Sequence, residues 1–170
     1  SHEEIDAGFE HHGKDALPFL ESEGKQVRLI IGNAYGERAP TKTFSDMFYA
    51  DASLEAGALL PLPDNHEDRG IYVVSGAIEI SGDTYESGRM MVFRPGDEIT
   101  VKAGSAGARL VLLGGETLSG PRYIWWNFVA SSKDKLEAAK AAWAEGDWEA
   151  GRFQLPPGDT DEFIPLPDNR

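Results

Sequence analysis

The sequence predicts an all-β fold, a jelly-roll β-barrel with one C-terminal α-helix and an extended tail, and three observations predict it. Short apolar runs recur at roughly 8–12 residue spacing, the rhythm of a sandwich or barrel. Clusters of Gly, Pro and Asp separate those runs and supply the turn chemistry between strands. Helical periodicity is confined to one stretch near the end, from Lys133 to Gly146. At 170 residues the chain is long enough for one compact domain with appendages. It reads as an N-terminal arm (1–26), a barrel core (27–115) and a segment (116–170) packed on the barrel or on a partner.

The arm is polar and glycine-punctuated, with Ala16-Leu17-Pro18-Phe19-Leu20 as its apolar clump. His11 and His12 are adjacent in an extended segment, so their side chains point opposite ways and do not make a ligand pair. Val27 to Ile31 is a strand ended by Gly32, and 33–43 is a loop holding Gly36 and Pro40. Phe48 to Leu54 alternates, with Phe48, Ala50, Ala52 and Leu54 on the core face and Tyr49, Asp51 and Ser53 on the other. Ile71–Val74 and Ala77–Ile80 read as two short strands joined in a hairpin at Ser75-Gly76. Met90–Phe93, Ile99–Val101 and Ala108–Leu113 continue the pattern.

After Gly114-Gly115 the composition changes. Pro121 to Val129 is a dense aromatic strand, and Ser131-Ser132 offer a helix N-cap. The following segment is rich in Ala, Glu and Lys, strong helix formers. Leu136, Ala139 and Trp143 recur at helical spacing, and Gly146 is a fitting stop. Beyond Asp147 the tail carries Trp148, Phe153, Phe163 and several prolines, so it is extended and strapped across something apolar.

Composition narrows function. Sixteen basic residues against 29 acidic ones give a net charge of −13, which opposes the phosphate neutralisation that nucleic-acid binding needs. A run of about 18 apolar residues, enough for a membrane span, is lacking. The chain has no cysteine, which excludes disulfides and thiolate metal sites and suits a reducing cytoplasm. Neither a G-x-S-x-G elbow nor a Gly-rich loop followed by Lys-Ser/Thr is present.

The stretch from Gly57 to Gly96 carries the spacing of a metal-binding barrel without its ligands. Counting from Gly57, Pro63 and Asn65 occupy a His-x-His pair, Arg69 a glutamate and Gly76 a closing glycine. Gly88 and Gly96 then frame a second block, with Arg94 on its proline, Ile99 on its histidine and Ala103 on its asparagine. In this spacing the segment resembles the cupin family, whose divalent metal is held by imidazoles and a carboxylate. Here the turn glycines persist and the ligand positions do not. Arg69 would bring a fixed cation to the place of a carboxylate.

Gly114-Gly115-Glu116-Thr117-Leu118, the Tyr123-Ile124-Trp125-Trp126-Asn127-Phe128-Val129 stretch, the helix and the Phe153 to Pro167 tail resemble the C-terminal domain of bacterial pirins. Val27 to Gly32 is similar to the first strand of that domain. The resemblance implies a tandem of cupin domains with the metal, usually iron, in the N-terminal one, and an association with oxygen-dependent opening of flavonols such as quercetin. No metal-binding residue of the family has a counterpart here, so the expected function is a non-catalytic cupin domain, structural, interacting or small-ligand-binding, with no catalytic residue and no cofactor in this chain. The alternative is a metal-dependent dioxygenase of the quercetin 2,3-dioxygenase type, with an unforeseen ligand set such as His66, Glu67 and Asp68.

Asn65, His66 and Arg69 are the candidate pocket residues; Arg69 reads either as a paired structural arginine, the commoner role for such a residue, or as the floor of a small-anion pocket. The expected partner is a second copy in a homodimer, or an N-terminal cupin domain; nucleic acid and membrane are not expected. Trp125, Trp126, Trp143, Trp148, Phe153 and Phe163 are the interface candidates, because loss of a partner barrel would uncover them. The competing expectation is that helix and tail fold back and cover these rings within the chain.

Overall fold

A computed structural model describes residues 2–6, 8–156 and 158–167 of the chain. The fold divides into two compact units, His2–Thr117 and Leu118–Arg170.

The first unit is an antiparallel jelly roll built on one sheet of nine strands. Its strands are β1 (Phe19–Ser22), β2 (Lys25–Ala34), β3 (Glu37–Arg38), β4 (Met47–Leu54), β5 (Leu59–Pro61), β6 (Asp68–Ile80), β7 (Asp83–Glu86), β8 (Met90–Phe93) and β9 (Thr100–Gly115). The hydrogen-bonded path runs β1-β2-β4-β9-β6-β7, with β3 on β2, β5 on β9 and β8 on β6. Period-two alternation decides which side chains go inside. In β4, Phe48, Ala50, Ala52 and Leu54 are buried as their alternation predicts. Leu29, Ile71, Val73, Leu110 and Leu112 join them in a single core. Each such large side chain contributes about 1.5–3 kcal/mol by leaving water.

Three of the turns share one device. Glu23-Gly24, Tyr35-Gly36 and Ser81-Gly82 connect β1 to β2, β2 to β3 and β6 to β7, and all six residues have positive φ. Two successive left-handed residues give a two-residue turn the twist of its flanking strands.

Several boundaries differ from expectation. Phe19–Ser22 is a strand paired with β2, so the arm joins the sheet seven residues before its expected end at 26. The Ser75-Gly76 hairpin does not exist. β6 runs unbroken from Asp68 to Ile80 along β9, with register shifts between Val73 and Ser75 and between Gly76 and Ile78. Gly76, at φ 76°, lies against Gly107, where an added Cβ would come within 2.2 Å of the Gly107 carbonyl oxygen. A β-bulge with a left-handed glycine bends a strand without reversing it, and its local sequence looks like a turn. Thr100-Val101 and Ala108–Leu113 are likewise parts of one long strand, β9, which starts one residue after Ile99.

In the second unit the aromatic stretch is a hairpin and not one strand. β10 (Tyr123–Trp125) and β11 (Phe128–Ala130) pair across Trp126-Asn127, with Trp126 at φ 49°. The helix α1 spans Lys133–Glu145; the Ser132 hydroxyl accepts from the Lys135 amide at its start, and Gly146 ends it at φ 71°. Cap and stop both match the sequence reading. No helix among the described residues is long and apolar enough to cross a membrane.

Candidate functional site

The residues that carry the frame's altered positions come from the segment between β5 and β6, the start of β6, the turn after β8, the residue before β9 and β9 itself. Arg69 follows the first residue of β6 and faces inward with Ile71 and Val73. It is 2% exposed, a charge carried into the core. Its guanidinium is engaged by main chain: Nη1 donates to the Pro63 carbonyl at 3.3 Å, and Nη2 donates to the carbonyls of Arg94 at 3.1 Å and Asp97 at 2.8 Å. Nε has no hydrogen-bond partner. Pro63 and Arg94 are themselves altered frame positions. A permanently charged five-donor fork therefore ties the segment before β6 to the turn after β8. Of the two readings of Arg69, these contacts are those of a structural arginine paired with main chain, with three of its donors turned onto carbonyl oxygens.

The other two pocket candidates separate. Asn65 is exposed. The His66 side chain is fully buried, its Nε2 3.6 Å from Asp46 Oδ1 and its ring centroid 4.8 Å from that of Phe48. Neither ring nitrogen has a hydrogen-bond partner. With its amide nitrogen turned toward Asp46, Asn33 donates to Asp46 Oδ1 at 2.8 Å, which holds that carboxylate beside His66. Glu67 and Asp68 are exposed, and Asp68 accepts from the Thr117 hydroxyl at 3.0 Å. His66, Glu67 and Asp68 therefore do not converge, and no group of three His, Cys, Asp or Glu suited to a metal occurs among the described residues. The side chains at the frame's ligand positions, Pro63, Asn65, Arg69 and Ile99, do not fit the iron that the family resemblance implies.

A cavity of about 440 Å3 opens beside these positions, with Pro63 and Asn65 in its wall. Its remaining lining comes from β1, β2, Tyr35 and the segment 60–64. The Tyr35 hydroxyl donates to the Pro61 carbonyl at 2.8 Å, and burial pushes its phenol well above the usual tyrosine range. Sequence reasoning missed this wall because it placed Phe19–Lys25 in an arm and Tyr35 in a loop; the Glu23-Gly24 and Tyr35-Gly36 pairs were the available signals.

The interface candidates meet one another. Trp143 contacts Trp126, Trp148 and Phe153 at centroid distances of 5.5, 4.9 and 5.3 Å. Trp125 stacks with Phe128 at 6.2 Å, and Trp148 meets Phe163 at 4.7 Å. With Phe128, Leu136 and Ala139 buried beneath, the rings form a small core of their own. The Trp143 indole donates to the Ile164 carbonyl at 2.9 Å and fastens the tail. The rings thus pack on one another within their own unit, half-buried, with Phe163 left exposed.

On the barrel unit, large apolar side chains stay in solvent on the outer face. Register places Tyr49, Leu113, Gly70 and Val92 in one row across β4, β9, β6 and β8, and Asp51, Val111, Tyr72 and Met90 in the next. Val92 is 75% exposed. A dent of about 320 Å3 is lined by Gly70 and Met90, and Met90 packs over the glycine so closely that an added Cβ would lie 2.7 Å from its Cε.

Comparison with known proteins joins these features. The pirin C-terminal cupin domain matches residues 49–154. A pirin-like protein of Caulobacter vibrioides is 44% identical over 167 residues, covering 98% of this chain and 56% of that protein. The crystal structure of a quercetin 2,3-dioxygenase from Acinetobacter baumannii aligns with a TM-score of 0.73 at 26% identity, covering 91% of this chain and 52% of that one. The chain spans about half the length of these relatives. It belongs to the pirin family, and its barrel is a pirin C-terminal cupin domain.

Proposed function

We propose that this barrel is a non-catalytic cupin domain, a scaffold that presents surfaces to a partner. The observation that carries the reading is the buried Arg69 guanidinium, bonded to the Pro63, Arg94 and Asp97 carbonyls amid the altered ligand positions. A second cation beside that fixed charge would be repelled at short range, and Pro63 and Ile99 offer no lone pair to hold it. The outer face bearing Tyr49, Tyr72, Met90 and Val92 supports an interacting role, with a second copy or an N-terminal cupin domain as its partner. A cysteine-free chain suits the reducing cytoplasm.

Purified protein incubated with ferrous iron and desalted should retain no stoichiometric metal and should not consume oxygen with quercetin. Stoichiometric iron that is lost on His66→Ala would overturn the reading. For the interacting role, light scattering over a concentration series should show a dimer of the 18.5 kDa chain that Val92→Glu dissociates. A monomer at every concentration would remove self-association and leave the N-terminal domain as the partner.

A second reading, a dioxygenase acting on quercetin, is favoured by the name of the Acinetobacter baumannii relative. In that reading the chemistry belongs to the longer protein, and this barrel supports it without contributing a ligand. Adding the N-terminal half of the Caulobacter vibrioides relative in trans would test it, with oxygen uptake as the readout.

A further inference from the structure

We propose that the cavity between the β1–β2 pair and residues 60–65 binds a small carboxylic acid with an apolar body, such as a monocyclic aromatic acid, with its carboxylate at Lys25. This deepens the small-ligand side of the non-catalytic reading and rests on the absence of metal chemistry there. The register of the β1–β2 hairpin builds one wall. Leu20 pairs with Val27 and Ser22 with Lys25, so an apolar rung and a polar rung share one face. Leu60 and Leu62 line the cavity as well. The volume, about 440 Å3, falls within the range of small-molecule sites, and an apolar body with a few convergent polar groups is their usual chemistry.

Lys25 decides the ligand's charge. Its side chain is 17% exposed, so its stem is covered while its ammonium remains paired, 2.8 Å from Glu23 Oε2. Glu23 is 83% exposed, and the pair holds its carboxyl below the usual range. Glu23 is the solvent-facing half of the pair, so a ligand carboxylate can take its place at the ammonium while the ligand's apolar body leaves water. Asp64 on the cavity wall and the net charge of −13 oppose an anion, which limits affinity to about the millimolar range.

The test is an amide-resolved NMR titration of the 170-residue chain with sodium benzoate at constant ionic strength, with benzyl alcohol and benzylamine in parallel. Saturable shifts are expected at residues 20–27, Tyr35 and 60–65. Lys25→Met should weaken benzoate about fivefold and leave benzyl alcohol unchanged, and Lys25→Arg should retain benzoate affinity. Glu23→Gln, an exposed change that frees the ammonium, should tighten benzoate about threefold and decides the matter if Lys25→Met fails to fold. The proposal falls if benzoate shifts are absent, unsaturable or elsewhere, if benzylamine binds as tightly, or if Glu23→Gln changes nothing. Its failure leaves the metal-content result untouched, and iron retained with intact benzoate binding would overturn only the non-catalytic reading.

Discussion

Replacing Arg69 by methionine keeps most of the buried stem and removes the guanidinium. Three donor contacts disappear, to Pro63, Arg94 and Asp97, and those carbonyls lose their buried partner. Hydrogen bonds from a charged donor contribute about 1.5–3 kcal/mol each, so the two shorter ones represent about 3–6 kcal/mol. Removing a buried charge returns part of this, since its desolvation is unfavourable and Nε is already unpaired. The partners are neutral carbonyls, however, and methionine cannot bond them, so the net loss is about 3 kcal/mol. For a chain of this size that corresponds to a fall in melting temperature of about 10 °C. Arg69→Lys, which keeps the charge and loses the fork, should fall between the two. Circular dichroism on heating, with urea titration as a second measure, gives the answer. A methionine variant as stable as the parent would refute the argument, because packing alone would then hold the loops around β6.

Three further outcomes follow from particular residues. Gly32→Ala should yield insoluble or strongly destabilised protein on urea titration, because Gly32 sits at φ 76° and the new Cβ would lie 1.7 Å from the Met47 carbonyl oxygen. Ser132→Ala removes the hydroxyl that caps α1 and should cost the second unit about 1 kcal/mol, followed by tryptophan fluorescence. Glu10 accepts from the Lys42 amide at 2.7 Å, and this bond, followed by the one to His12, holds its carboxyl below the usual glutamate range. Because the folded value is lowered, that contact is present above the ordinary glutamate pKa and lost as pH falls through the lowered one. The Lys42 amide resonance should therefore titrate below the range of a free glutamate, and Glu10→Gln should abolish that titration.

The sequence by itself determined the elements whose signal is local. Phe48–Leu54 declares its inner face through alternation, and Ser132 and Gly146 bracket a helix through backbone chemistry that needs no distant partner. The loss of ligand chemistry at Pro63, Arg69 and Ile99 was equally legible, since a side chain without available lone pairs lacks them in any fold. Tertiary structure decided what depends on a neighbour. Gly76 reads as a turn until β9 lies alongside and makes it a bulge, because register is a property of two strands. Arg69 could be a paired structural arginine or the floor of an anion pocket from sequence alone, and only the fold names its partners, the carbonyls of Pro63, Arg94 and Asp97, which come from segments up to 28 residues away. The aromatic residues of the tail announced burial but not against what. Hydrophobicity is non-directional, and only the hairpin, helix and strap brought together could show that these rings pack on one another.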